Sequence, residues 1–234
     1  ASDARMSGCE LPVIINSGSG NQGITCSVPL IEYAKELHSG KEKLYRALII
    51  SNLVAIHEKT GIGTLSAYCG AVSAGAGAGA GIVYLCGDGY QAAIHTVVNA
   101  LAIVSGIVCD GAKASCAAKI ASSVDAALLG YNMYKCNQEF KGGDGIVMKD
   151  IETTIKGIGR LGKDGMRQTN EEIIRLAQQT AQAETCYPVK LLHGHMAWLA
   201  EQGVDYIFMP SVHTMKHESS HVEHNYGCVY MQTA

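Results

Sequence analysis

The chain has 234 residues, 47% of them hydrophobic and 17% charged, which predicts a globular protein with a full core, as one large domain or two small ones. Its formal net charge of -3 provides no basic patch and argues against binding to nucleic acid or to an anionic membrane surface. Nine cysteines, an odd number spread unevenly, and a first segment without secretory-signal character predict a cytoplasmic protein that uses thiols or metal ligands.

The first predicted helices lie between residues 27 and 61. In SVPLIEYAKELHSG, Ser27 is a candidate cap, Pro29 stands in the first turn and Gly40 is a stop signal. Ser39 and Glu42 then have the spacing of a capping box, and the text EKLYRALIISNLVAIHEKT that follows is apolar nearly all round. A helix with such a circumference is expected at the centre of the fold.

Small residues dominate the segment GAVSAGAGAGAG, residues 70–81, which predicts either a tightly packed helix or close wrapping around a ligand. No charged residue occurs between Lys59 and Asp88, but Gly, Ala and Ser bury too little apolar surface to drive a membrane span. The next uncharged run, residues 89–109, contains Gln91, His95 and Asn99. Both runs therefore predict helices buried inside a protein that does not enter the membrane.

Further helices are predicted over residues 90–108, after Cys109, and from TNEEIIRLAQQT, where Thr169 and Glu172 have capping-box spacing; KGGDG at 141–145 predicts a loop. No strand pattern occurs before about residue 179, so this region is mainly α. Residues 184–209 instead read as a helix followed by a short buried strand, half of an α/β unit. We expect an all-α domain over 1–178 and a short α/β tail over 184–234.

Three cysteines, Cys69, Cys109 and Cys116, each stand where a Gly- or Ala-rich turn meets a predicted helix end. An iron–sulfur cluster needs thiolates that converge from separate segments, and its negative charge is favoured near helix N-termini. Asp110 and Gly111 are expected to start the helix that presents Cys116. Spacing alone leaves this reading open beside that of three buried structural thiols, because no CxxC motif occurs.

A second group of polar residues lies in NSGSGNQGI, residues 16–24. A Gly-, Ser- and Asn-rich loop before a helix offers backbone N–H groups and small hydroxyls to a carboxylate or phosphate. It is not the phosphate loop of nucleotide hydrolases, since no Lys-Ser or Lys-Thr pair follows at the required place. A plain turn remains the alternative.

Several longer motifs carry a resemblance to a known family. In chain order they are DARMSG, NSGSGNQGI, IHEKTGIGTLSAYCGAVSAGAGAGAGI, CDGAKASCAAKI and GIGRLGKDGM, all within residues 1–176. This text closely resembles the L-cysteine desulfidase family, whose catalytic region is related to the α chain of iron–sulfur L-serine dehydratases. The resemblance implies a mainly α, multi-helix catalytic domain of the serine dehydratase α-chain type.

The resemblance also implies a cofactor and a reaction. Cys69, Cys109 and Cys116 match the family cysteines that bind a [4Fe-4S] cluster, with one iron open to substrate. The open iron would act as a Lewis acid on the thiol or hydroxyl of L-cysteine or L-serine while a base removes the α-proton. The released aminoacrylate would hydrolyse to pyruvate and ammonia, with sulfide as the leaving group from cysteine.

The glycine-rich loop resembles the family's substrate-side loop. Its polar residues are thereby placed near a small amino-acid substrate; they are Asn16, Ser17, Ser19, Asn21 and Gln22. The sequence leaves open the choice between cysteine and serine, and also the oligomeric state, including a homo-oligomer.

This sequence departs from the family pattern at its N-terminal side, where the upstream text that carries the proposed catalytic base is not found. A non-catalytic [4Fe-4S] or small-molecule binding module is therefore the rival function, and a helical domain with inert thiols is a third. Cys9, Cys26 and His57 are spare candidates for a base or nucleophile, with packing favoured for each. Arg5 could anchor a carboxylate, and a surface salt bridge is an equally good reading.

The last segment resembles a different family. ETCYPVKLLHGHMAWLAEQGVDYIFMPS and NYGCVYMQ resemble the C-terminal region of long activators of 2-hydroxyacyl-CoA dehydratases, without their ATP-binding part. Cys186 and Cys228 fall at cysteines of that family which see an iron–sulfur cluster. Four histidines nearby have helical spacing but lie in a polar segment, which favours a solvated surface over a metal site; they are His213, His217, His221 and His224.

Overall fold

The computed structural model describes the backbone of residues 1–63 and 66–180 and the side chains up to residue 176. Residues 1–175 form one compact helical unit. Its helices are α1 Ser2–Met6, α2 Gly20–Glu36, α3 Lys41–Ile62, α4 Gly70–Cys86, α5 Tyr90–Ile103, α6 Ser115–Lys135, α7 Ile151–Arg160 and, after a π-helical turn at Leu161–Gly165, α8 Arg167–Thr180. The described ranges contain no strand, only two isolated bridges, so the mainly α prediction is confirmed.

Helix α4 is the centre of the unit. It packs against α2, α3, α5 and α6, and nearly all of its residues are buried. Its glycines permit this packing: a Cβ atom on Gly77 would lie 2.4 Å from the carbonyl oxygen of Ser51 in α3, and one on Gly79 would lie 2.7 Å from the Cβ of Ala127 in α6. Because no side chain separates the backbones, neighbouring helices approach α4 far more closely than large residues would allow.

The prediction that α3 is the central helix is wrong. Its buried face carries mostly small or polar residues, whereas several large apolar side chains point outward; among these, Ile49 is 58% exposed and Leu53 is 59% exposed. Helix α3 does carry apolar residues on most sides, but the Gly- and Ala-rich helix α4 occupies the interior. Small side chains fit there because four helices converge on it.

Three predicted helix starts are also wrong. Helix α2 begins at Gly20, so Ser27 and Pro29 lie inside it, and Ser27 Oγ donates a hydrogen bond of 2.7 Å back to the carbonyl of Gly23. Helix α2 ends at Glu36, and Gly40 precedes α3 without any side-chain cap from Ser39. In α8, Thr169 is the third helical residue. Helices α2 and α8 continue N-terminally through residues that the sequence pattern assigns to the cap, whereas α3 begins one residue later than the Ser39 cap predicts.

The second half of the unit differs in smaller ways. Helix α5 ends at Ile103, five residues early, and α6 begins only at Ser115, so Asp110 and Gly111 lie in a turn rather than at a helix start. The predicted loop at 141–145 is non-helical. Helix α7, which the sequence analysis missed, begins with a capping box in which Asp150 accepts a hydrogen bond of 2.7 Å from the Thr153 N–H.

Two further expectations concern the membrane and the tail. Among the described residues, none of the helices combines the length and hydropathy that crossing a membrane requires. The predicted helix and strand of residues 184–209, the cysteines at 186 and 228 and the four histidines lie outside the described residues.

Candidate functional site

A short backbone pairing brings two of the three predicted cysteine ligands together. Tyr68 and Val108 form an isolated antiparallel bridge just before α4 and after α5. On either side of it, the N–H groups of Cys69 and Cys109 donate to carbonyl oxygens of the facing segment at 3.2 and 2.6 Å. Residues 40 positions apart are thus fixed side by side by backbone hydrogen bonds, before any metal is considered.

The thiols of Cys69 and Cys109 interact directly. Their mutual hydrogen bond lowers the pKa of Cys109 to about 6, and a further hydrogen bond from the backbone of Gly111 lowers it too. The same thiol–thiol bond, followed by burial, raises the pKa of Cys69, against a backbone hydrogen bond at Ala71 in the first turn of α4. Within the pair, Cys109 therefore loses its proton more readily than Cys69.

Cys116 lies apart from this pair, in the first turn of α6. Its Sγ donates to the carbonyl of Gly111 at 3.2 Å, and Gly111 adopts a φ of +99° in the connecting turn. Lys119, one turn further along, interacts electrostatically with both Cys69 and Cys116. Its ammonium donates to Asp110 Oδ1 at 2.5 Å and to the Val108 carbonyl at 3.0 Å, which ties α6 to the bridge segment.

The described residues contain no group of three His, Cys, Asp or Glu side chains close enough to hold one metal ion. A four-iron cluster makes a different demand, because each thiolate binds a different iron and the sulfurs do not meet at a single atom. A close pair plus a third thiol from a neighbouring turn suits such a cluster. Backbone N–H groups at Ala71 and Gly111 and the nearby lysines match its negative charge.

Two charged residues at this site were missed by the sequence analysis. Glu58 and Lys59 stand near the end of α3 and are only 1% and 6% exposed. Burial raises the pKa of Glu58 well above its usual range, opposed by Ser73. Burial lowers the pKa of Lys59, opposed by Cys109 and Cys69. The adjacent charges HEK within a helix read as a solvated surface, so only the three-dimensional position identifies them.

Unpaired polar atoms cluster around the first turn of α4. Gln22 Oε1 and the Tyr68 hydroxyl are buried without a hydrogen-bond partner among the described residues. The Glu58 carboxyl and the Ser73 hydroxyl are also buried, and among the described residues they have only each other. Glu58 acts on the pKa of Tyr68, and Ser73 acts on that of Glu58, so these groups lie close together. Buried polar groups are nearly always hydrogen-bonded, and such a concentration marks an unusual site.

The predicted substrate loop is partly a turn and partly helix. Asn16 pairs with Ser19 through two backbone hydrogen bonds, and its side-chain amide donates to Asn52 Oδ1 of α3 at 2.8 Å. Asn21, inside α2, accepts a hydrogen bond of 2.9 Å from Arg5. The predicted Arg5 anchor is thus engaged with the loop itself. Ser17 has a left-handed φ of +48° and donates to Asn16 Oδ1 at 2.9 Å.

Gln22 is the loop residue that reaches the cysteines. It is 8% exposed, and its side-chain amide lies against Gly70, where an added Cβ would be 2.4 Å from Gln22 Nε2. Gly70 directly follows Cys69. The structure therefore joins the predicted substrate loop to the predicted metal ligands through one contact at the start of α4.

The spare nucleophile and base candidates lie away from this contact or are poorly suited to it. Cys26 is fully buried, and burial raises its pKa to about 12. Cys9 is exposed. His57 is also largely exposed and pairs with Glu152 at 3.1 Å. Packing or surface pairing accounts for all three.

The fold and site define a helical domain whose cysteines, buried charges and polar loop converge at one end of a central helix. Residues 1–175 match the family model described as the serine dehydratase alpha chain. The chain belongs to this family, which confirms the first resemblance. Residues 166–234 match the model of the CoA enzyme activase uncharacterised domain, in agreement with the resemblance of the tail to activators.

Relatives among known proteins match about three-quarters of the chain. A UPF0597 protein of Desulfitobacterium hafniense is 70% identical over 175 residues, which are 75% of this chain and 41% of that protein. UPF0597 proteins of Lachnoclostridium phytofermentans and Treponema denticola are 61% and 57% identical, over 75% of this chain and 42% and 41% of their own lengths. The chain thus spans about two-fifths of the relatives it matches. No solved structure matches it.

Proposed function

We propose that residues 1–178 form an iron–sulfur lyase domain that acts by β-elimination on a small amino acid. L-cysteine would give pyruvate, ammonia and sulfide, and L-serine would give pyruvate and ammonia. The observation that carries the proposal is the pairing of Cys69 with Cys109 across the backbone bridge, with Cys116 in the adjoining turn of α6. Membership of the serine dehydratase alpha chain family supports the reaction class.

Cys69, Cys109 and Cys116 would hold a [4Fe-4S] cluster. Such a cluster supplies a Lewis acid for the departing thiol or hydroxyl group. The protein's own contribution is to fix two thiols by backbone hydrogen bonds, to lower the pKa of Cys109 and to provide N–H groups and Lys119 against negative charge. Gln22 and the turn at residues 16–19 form the amino-acid side of the site, with Asn16, Ser17, Ser19 and Asn21 shaping it.

The elimination itself has a simple balance. A base removes the proton from the α-carbon, its electron pair forms the new double bond, and the bond from the β-carbon to sulfur or oxygen breaks. The aminoacrylate then adds water and releases ammonia, leaving pyruvate. We expect Cys26 to take no part, because its raised pKa makes its thiolate scarce.

Anaerobic reconstitution with iron and sulfide tests the proposal. The wild-type chain should develop the broad absorption of a [4Fe-4S] cluster and release pyruvate from L-cysteine or L-serine. Substitution of Cys69, Cys109 and Cys116 by Ala together should abolish both signals. The matched control replaces the exposed Cys9, Cys86 and Cys136 by Ala and should retain them. Full cluster loading in the first triple variant would contradict the assignment.

The second candidate function is a cluster or small-molecule binding module without turnover. Cluster loading and amino-acid binding without pyruvate release would favour it. We also propose that the family match over 166–234 reflects a separate activator-like segment at 184–234.

A further inference from the structure

Lys59 presents a buried cation beside the cysteine pair. Lys59 is only 6% exposed, and it interacts electrostatically with Cys109 and Cys69. Within the described part of the chain, its ammonium makes no hydrogen bond and no ion pair. A lysine ammonium has three donors and is seldom buried without a partner, so Lys59 has an unused capacity to bind an anion.

The other cations near the site are already engaged. Lys119 donates to Asp110 and to the Val108 carbonyl, and Arg5 donates to Asn21. Lys119 thus has two hydrogen bonds from its ammonium, and Arg5 is held by Asn21 at the loop. Of the three cations that approach the cysteines and the loop, Lys59 is the one that makes no hydrogen bond in the described structure.

An unused acceptor lies beside Gly70, the residue after Cys69. Gln22 Oε1 is buried without a partner, and its amide rests against Gly70. Lys59 acts on Cys69 from α3, and Gln22 approaches Gly70 from α2. The neighbourhood of the cysteine pair thus holds a cation that needs an anion and an oxygen that needs a donor. An α-amino acid carries both partners, a carboxylate and an ammonium group, on the carbon next to its reactive β-carbon.

We propose that Lys59 binds the carboxylate of the amino-acid substrate, with Gln22 Oε1 accepting a hydrogen bond from the substrate ammonium group. The β-substituent then faces Cys69 and Cys109. This inference rests on the proposed function and extends it, because it assigns the residue that selects an α-carboxylate. Lys59 is a binding residue in this scheme and moves no proton.

The test compares ligands that differ only in the carboxylate. Calorimetry measures the binding of L-serine and of ethanolamine, and of L-cysteine and 2-aminoethanethiol, to the full chain before and after anaerobic cluster reconstitution. Wild type should prefer the carboxylate-bearing member of each pair by roughly 10- to 100-fold, as expected for a charge-assisted contact. Lys59→Met should lose that preference, and Lys59→Arg should restore part of it.

The controls separate this inference from the proposed function. Lys41→Met, at the exposed first residue of α3, should keep the wild-type preference. Failure of wild type to take up a cluster contradicts the proposed function, whereas the preference between paired ligands is measured in either state. An unchanged preference in Lys59→Met overturns the inference. So does an absent preference in wild type, or a Lys59→Met protein that loses only its cluster, since Lys59 would then serve the metal.

Discussion

The two ends of α4 differ in how the polar groups around them are hydrogen-bonded. At the C-terminal end the polar groups are paired: Tyr131 donates to Asp88, and His95 pairs with Glu139 at 2.8 Å. At the N-terminal end, about 25 Å away for a 17-residue helix, Gln22 Oε1 is buried without a partner among the described residues and the buried Glu58 carboxyl has only the Ser73 hydroxyl.

A visible pocket does not decide which end is functional. A pocket of about 410 Å³ lies at the C-terminal end and is lined by Asp88, Tyr134, Lys135, Asn137 and Glu139. Its two carboxylates are paired with neighbouring side chains, Asp88 with Tyr131 and Glu139 with His95, as expected of a structural surface. Unsatisfied buried groups are costly and persist where a ligand or a proton completes them. In this molecule, buried polar groups that lack partners indicate the candidate site better than a surface pocket does.

Glu58→Gln should have the largest effect, which is a change in how the free energy of unfolding depends on pH. The folded state raises the pKa of Glu58, so above the ordinary value of 4.5 the unfolded chain releases a proton that the folded chain retains. Wild-type stability therefore falls as the pH rises, by up to about 1.4 kcal/mol per pH unit. Urea unfolding between pH 5 and 8 should show that Glu58→Gln gains on wild type as the pH rises, over the range in which the folded state keeps Glu58 protonated. Parallel stability curves for the two proteins would contradict a buried carboxyl with a raised pKa.

Glycine substitutions at the two ends should have different consequences. In Gly70→Ala the new Cβ would collide with the buried Gln22 amide, costing about 1–3 kcal/mol and weakening amino-acid binding. Gly87, with a φ of +90° and open space around it, follows the last residue of α4. Gly87→Ala should cost about 1 kcal/mol of conformational strain and leave binding unchanged. Equal loss of binding in both variants would remove the functional distinction between the ends.

Tyr131→Phe should have the smallest effect. It removes the hydrogen bond to Asp88 but leaves that exposed carboxylate to water, so a loss of about 1 kcal/mol in the free energy of unfolding is expected. Cluster content and ligand binding should not change. Loss of cluster in Tyr131→Phe, measured by iron content against wild type, would show that the two ends are coupled.

The sequence predicts helices more successfully than it predicts which helix lies inside. The Gly- and Ala-rich sequence of α4 and the largely apolar sequence of α3 both predict helices. Which helix is buried depends on how closely the backbones approach, as at Gly77 and Ser51. Helix starts failed because Ser27 and Thr169 resemble caps locally, while tertiary packing extends each helix beyond them. The family motifs, unlike spacing, named Cys69 and Cys109 together, and the structure places them together.

The site's charged residues were beyond such reasoning. Glu58 and Lys59 are adjacent in HEK, and only the rotation of α3 against α4 turns them toward Ser73 and the cysteines. Gln22 was named from the loop motif, but its contact with Gly70 depends on the crossing of α2 and α4. Side-chain burial of this kind arises from contacts between distant segments, which local patterns do not contain.

The Tyr68–Val108 bridge has a consequence for the order of assembly. It closes a loop of 40 residues that includes all of α4 and α5, and such a closure carries an entropic cost that local helix formation does not. We therefore expect helices α4 and α5 to form and pack first, and residues 67–69 and 107–109 to meet afterwards. If the protein holds the proposed cluster, iron that arrived earlier would meet two distant thiols instead of one chelating pair, and loading would wait on this late pairing.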